Sequence, residues 1–159
     1  RAGLEVSTTT RNPAKIDTLK AAGASHVFID DGQLAPKVRE MYPEGVDRVF
    51  ELIGTKTVMD SMRCVPRGGI VCVTGILGGE WVMENFEPMG GIPTGVKLTA
   101  YSGGSGDITR DELQGYLDDI ANKTIEIRRG PVFPFEELVA AHEAMDANRA
   151  NGKMVVKVG

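Results

Sequence analysis

The sequence is poor in the residues that build metal centres and covalent cross-links. It holds two cysteines, two histidines and one tryptophan in 159 residues. Cys64 and Cys72 are too few for a disulfide framework, so a reducing, cytoplasmic setting is the expectation. No Cys/His cluster with ligand spacing surrounds His26 or His142. Both read as partly exposed helix or loop residues, and no metal is expected. Adjacent acids such as Asp30-Asp31 and Asp118-Asp119 point apart, so they read as turn or surface positions and not as an acid/base pair. Positive charge is also in deficit: 18 Lys and Arg stand against 22 Asp and Glu, a net charge of −4. That balance argues against nucleic acid or an anionic membrane surface as the partner. No apolar run is long enough to span a bilayer, and the opening residues carry no signal-peptide pattern.

Glycine, by contrast, is abundant, with 20 residues against an average usage of about 7%. The glycines punctuate alternating strand and helix patterns. Leu4 to Thr9 is β-branched and reads as a strand, after Arg1-Ala2-Gly3, which reads as the tail of a helix capped by Gly3. The chain is therefore expected to begin inside a βα unit of a longer protein. Asn12-Pro13 starts a helix that Gly23 ends. Val27 to Ile29 is a short strand, Asp30-Asp31-Gly32 a turn, and Leu34, Val38 and Met41 mark the inner face of the next helix. Val46 to Ile53 is a strand closed by Gly54. Thr55 can cap a helix with Val58, Met59, Met62 and Val65 inward. Pro66-Arg67-Gly68-Gly69 turns into Ile70 to Thr74, an apolar run typical of a parallel strand buried on both faces.

Residues 75–95 read as loop, and Val96 to Tyr101 as a further strand. Thr109 and Glu112 form a capping box before a helix with Leu113, Tyr116, Leu117 and Ile120 on one side. Ile125 to Phe133 is extended. Pro134 to Glu137 opens a helix that Asn151-Gly152 ends, and Met154 to Val158 closes the chain. The pattern predicts an α/β protein with a parallel sheet and helices on both faces. No internal repeat appears, and no linker marks a second domain.

The order of elements resembles the nucleotide-binding domain of the medium-chain dehydrogenase/reductase superfamily, which includes zinc alcohol dehydrogenases and zinc-free quinone oxidoreductases. The resembling stretches are Lys20 to Val27, Val46 to Gly54, Pro66 to Val71, Val132 to Glu137 with Ala141-His142, and Gly152 to Val156. The resemblance implies a Rossmann-like doubly wound sheet, truncated at its N-terminal βα unit. It makes residues 1–159 a partial NADP-binding domain, with 125–159 returning toward a catalytic domain outside this chain. The glycine fingerprint that cradles a pyrophosphate should follow the first strand and open the first helix. Gly75-Ile76-Leu77-Gly78-Gly79 follows a strand, but its spacing is wrong and no helix opens there. The fingerprint and the first strand are thus expected before Arg1. In the strand order 3-2-1-4-5-6 that leaves a gap between Leu4–Thr9 and Val46–Ile53. The chain alone is then expected to bind NADPH weakly or not at all.

Under this resemblance Thr9, Thr10, Arg11 and Lys15 face the adenosine ribose. An NAD site places an acid at about Thr10. A hydroxyl followed by two cations instead fits the 2′-phosphate of NADP. Leu52, Ile53 and Gly54, then Thr74, Gly75 and Ile76, then Thr99 and Tyr101, end successive strands and are expected to line the nicotinamide side. Catalytic residues are not assigned. The resemblance implies an NADPH-dependent oxidoreductase transferring hydride to a carbonyl, quinone or enone, with the small-molecule substrate bound by the other domain. A zinc-dependent alcohol dehydrogenase is the alternative, and a non-catalytic binding or assembly module a further one. It also implies a homodimer through the edge strand Val96 to Tyr101.

Overall fold

The computed structural model describes residues 3–147, 149–150 and 152–159. The helix tail expected at Arg1-Ala2 and the part of the stop signal at Asn151 lie outside them. The chain divides into two compact units, Arg1–Asp107 and Ile108–Gly159.

In the first unit, β1 (Ser7–Thr10) pairs in parallel with β2 (His26–Ile29). Separately, β3 (Arg48–Glu51), β4 (Ile70–Val73) and β5 (Lys97–Ala100) form a parallel sheet in that order. Among the described residues no ladder joins β1 to β3. The gap expected between Leu4–Thr9 and Val46–Ile53 is therefore present. The strands are shorter than their apolar patterns suggested. Val6 accepts from Ser25 N–H and extends the β1–β2 contact just past the strands, whereas Val46 N–H donates away from the sheet to the Cys64 carbonyl.

Helices connect the strands. Asn12 accepts the Ala14 N–H at 3.0 Å and starts a 3-10 turn at Pro13–Lys15 that runs into α1 (Ile16–Ala21). Gly23, at φ +102°, follows the helix end. Leu34 and Ala35 N–H, at the start of α2 (Leu34–Met41), donate to the Asp60 carboxylate at 2.7 and 3.0 Å. Asp60 lies on α3 (Val58–Arg63), so one helix caps another. Thr55 does not cap α3, contrary to the sequence pattern. Its hydroxyl donates to the Glu80 carbonyl, and Thr57 holds the cap position. Met41 shares the spacing of Leu34 and Val38 yet is 48% exposed. Tyr42, edge-on to Phe28 and His26, closes that end of the core instead.

Two apolar clusters hold this unit. Phe28, Ala35, Val38 and Cys64 form one, and Val58, Met62, Val65 and Val71 the other. The β4 strand is not buried on both faces as expected. Val71 packs on α3 with Val49 and Leu98 beside it. On the opposite row Phe50 is 73% exposed and Thr99 is exposed, with Cys72 half-buried between them. Residues 75–95 are loop-like apart from α4 (Pro88–Gly91), capped by Glu87.

In the second unit the capping box forms as expected. Glu112 N–H donates to Thr109 Oγ1 and Thr109 N–H donates to Glu112, opening α5 (Arg110–Ala121). Leu113, Tyr116 and Leu117 on its apolar stripe are largely exposed. β6 (Arg129–Pro134), a 3-10 turn at Phe135–Glu137, α6 (Leu138–Asp146) and β7 (Lys153–Lys157) form a parallel β-α-β unit. Among the described residues no helix is long and apolar enough to cross a membrane.

Candidate functional site

Ligands of open α/β sheets sit outside the carboxyl ends of the strands. Every candidate residue of this chain lies there, in the last two residues of β1, in β5 at Thr99, or in the turns after β1, β3, β4 and β5. The β1 end is a polar turn. Thr10 Oγ1 accepts the Asn12 N–H at 3.1 Å, and the Asn12 carbonyl accepts the Lys15 N–H at 3.0 Å. Arg11 stands at the apex of this turn, and both Arg11 and Lys15 are exposed. Among the described residues neither forms an ion pair, so two cations face solvent beside a hydroxyl, with no acid at the strand end. Thr9 is exposed and Thr10 half-buried.

The β3 and β4 ends are bound to each other. Leu77 N–H donates to the Leu52 carbonyl at 3.0 Å, and Gly78 N–H to the Ile53 carbonyl at 2.8 Å. Thr74 and Gly75 N–H both donate to the Glu51 carbonyl. Gly75 fits because it has no side chain: a Cβ would stand 2.7 Å from the Leu52 oxygen. Gly54 adopts φ +97°, a conformation favourable only to glycine, with Ile76 packed over it.

A cleft of about 400 Å³ opens at these strand ends, lined by Thr55, Val58, Val73, Ile76, Trp81, Met83, Leu98, Thr99 and Ala100. Of the candidates, Ile76 and Thr99 line it. Leu52, Ile53, Gly54, Thr74 and Gly75 form the adjoining turns, while Thr10, Arg11 and Lys15 belong to the β1 end. Tyr101 turns aside. It is 55% exposed, and its hydroxyl donates to Asp107 at 3.0 Å, a bond that raises the phenol pKa. Lys56 and Glu80, 3.0 Å apart, tie the loop before Trp81 to the start of α3.

Two contributors were missed by sequence reasoning. Trp81 sits in a stretch read only as loop. Glu51 is 4% exposed and accepts hydrogen bonds from Ile53 N–H, Gly54 N–H and the hydroxyls of Thr57 and Ser61. The available signal was an acid inside the apolar run Val49-Phe50-Glu51-Leu52-Ile53.

A family model described as zinc-binding dehydrogenase matches residues 22–156, and the chain belongs to that family. It falls within the medium-chain dehydrogenase/reductase superfamily, as its C-terminal, Rossmann-like part. A zinc-type alcohol dehydrogenase-like protein of Schizosaccharomyces pombe is 26% identical over 99% of this chain. The chain spans 46% of that relative's length. Mycobacterial Rv1454c complexed with NADPH is 25% identical, with a TM-score of 0.80 over 98% of this chain and 49% of its own. Escherichia coli quinone oxidoreductase complexed with NADPH has a TM-score of 0.83 at 21% identity, over 98% of this chain and 50% of its own. That last likeness concerns the fold alone.

The family's description names zinc, but the described residues of this chain do not fit a zinc site. Among the described residues no group of three or more His, Cys, Asp or Glu could hold a metal ion. Cys64 is buried, and burial, reinforced by Asp60, pushes its thiol up to about 12, which disfavours the thiolate a metal needs. His26 sits at the start of β2 against Tyr42, and His142 is exposed on α6.

Proposed function

We propose that this chain is the cofactor-binding part of an NADPH-dependent oxidoreductase that delivers hydride to a carbonyl, quinone or enone. The observation that carries the reading is the β1 end: Thr10 where an NAD site has an acid, followed by Arg11 and Lys15 with no ion-pair partner among the described residues. A ribose 2′-phosphate bears negative charge and acceptor oxygens, which Arg grips in a fork and Lys meets as a point charge. The family membership and the NADPH complex of Rv1454c support the cofactor class.

The residues of this chain bind and orient; the nicotinamide ring, when bound, supplies the hydride. The β1 turn takes the phosphate-bearing ribose. The turns at Leu52–Gly54 and Thr74–Ile76, with Thr99, form an apolar floor for the nicotinamide end, offering shape and backbone groups. Tyr101 is assigned to the rim of this end. The substrate is held by a further domain, as the half-length coverage of the relatives supports. A cytoplasmic homodimer joined along Lys97–Ala100 completes the proposal, since β5 is the sheet edge.

The protein expressed from its complete gene is expected to consume NADPH with a quinone, an enone or an aldehyde. Consumption with none of the three would sink the hydride-transfer reading. The zinc alcohol dehydrogenase alternative is favoured by the Schizosaccharomyces pombe relative. It requires stoichiometric zinc held outside the residues described here and alcohol oxidation abolished by a chelator. A chain that binds no nucleotide and supports no turnover in its natural context would be the assembly module instead.

A further inference from the structure

The Glu51 carboxyl group is the one acid among the described residues that is nearly fully buried. A carboxyl group removed from water persists only when its oxygens find donors. All four of its partners come from the next ten residues: Ile53 N–H at 2.8 Å, Gly54 N–H at 3.0 Å, Thr57 Oγ at 2.8 Å, and the Ser61 hydroxyl. The chain after β3 is thus wound around this one side chain.

Thr57 shows where the interaction takes precedence. It holds the N-cap position of α3, where a threonine hydroxyl ordinarily accepts from the helix backbone. Here it makes no such bond and donates to Glu51 instead. The same turn is gripped from the other side. The carbonyls of Leu52 and Ile53 accept from Leu77 and Gly78 N–H, so the post-β4 turn takes its position from the post-β3 turn. Ile76, which lines the cleft, immediately precedes those two donors and packs over Gly54.

We infer that Glu51 is the positioning residue of the nicotinamide half of the site. It sets both turns without touching the ligand, by holding the Ile53 and Gly54 N–H groups inward. This rests on the cofactor reading above. An apolar residue of the same size could fill the space but would leave two N–H groups and two hydroxyls unpaired. The turn would then reorient toward water. The β1 end, with Thr10, Arg11 and Lys15, receives no hydrogen bond from this network.

The experiment measures two probes by calorimetry on the protein expressed from its complete gene. NADPH occupies both ends of the site, whereas adenosine 2′,5′-bisphosphate reaches the β1 end alone. Glu51→Gln keeps the shape but turns one acceptor oxygen into a donor. It is expected to weaken NADPH about tenfold or more, the scale of a lost hydrogen bond at a buried polar group. The bisphosphate affinity should stay within about twofold, a difference too small to signal a lost contact. Equal weakening of both probes would mean a merely structural role and would overturn the inference, as would unchanged NADPH binding. If Glu51→Gln does not fold, Thr57→Val decides, since it deletes one donor to Glu51. Selective loss of NADPH affinity supports the inference, and unchanged affinity for both probes overturns it. A wild-type protein that binds neither probe overturns the cofactor reading itself and this inference with it. A wild type that binds both, with an indifferent variant, overturns only the role of Glu51.

Discussion

Gly75 passes so close to Leu52 that a Cβ on it would stand 2.7 Å from the Leu52 carbonyl oxygen. Two turns from different strands are thereby packed backbone to backbone. Gly75→Ala forces that backbone apart, and overpacking of this kind costs about 1–3 kcal/mol. The expected result is a lower melting temperature together with weaker NADPH binding. Gly104, where a Cβ would meet nothing within 4 Å, is the control. If Gly75→Ala melts with the wild type, the close approach does not constrain the turn.

Cys64 makes stability depend on alkaline pH. Burial raises its thiol from 9.0 to about 12, with the Asp60 charge adding to the effect. A raised folded-state pKa means that the folded chain holds the proton more tightly than the unfolded chain. The stabilisation is complete below pH 9.0 and is lost as pH rises toward about 12. Denaturant midpoints measured across that interval should fall in the wild type and fall less in Cys64→Ala. Parallel curves for the two proteins would show that Cys64 is not the group responsible.

The proposed dimer edge can be opened without breaking the sheet. Lys97 N–H donates to Gly69 and Tyr101 N–H to Val73, so both point toward β4. The alternation of a parallel ladder turns the Leu98 and Ala100 N–H groups to the free edge. Ala100→Pro therefore removes an outward donor and keeps the inward ladder, a placement proline tolerates on edge strands. Light scattering should report a dimer for the wild type and a shift toward monomer for the variant. A monomeric wild type at high concentration would contradict the edge-pairing proposal.

Much of this was legible in the sequence because local chemistry decided it. Asn12-Pro13, Gly23, Gly54 and the Thr109–Glu112 box each satisfy a backbone requirement within a few residues, so pattern and structure agree. The separation of β1 from β3 was also legible, through the expected strand order. What escaped notice depended on distant partners. Thr55 has the chemistry of a cap, but Glu80, 25 residues on, takes its hydroxyl. Met41 has the spacing of a core residue, but Tyr42 reaches the aromatic neighbours first. The apolar run at β4 suggested cover on both faces, yet α3 covers only the Val71 side. Glu51 is a different case: its four donors lie within the next ten residues, but an acid in an apolar run shows only that partners are needed and not which groups supply them. The cations after β1 were visible from the start, since an exposed turn needs no tertiary partner.

The most direct test of the cofactor reading compares NADPH with NADH on the protein expressed from its complete gene, before and after Arg11→Ala. Removing a charge-assisted contact worth about 1.5–3 kcal/mol corresponds to a loss of roughly ten- to a hundredfold in affinity. The account predicts tighter binding of NADPH than of NADH by the wild type. It also predicts that Arg11→Ala weakens NADPH on that scale and leaves NADH nearly unchanged. Tighter binding of NADH by the wild type, or an equal loss for both nucleotides in Arg11→Ala, would contradict it.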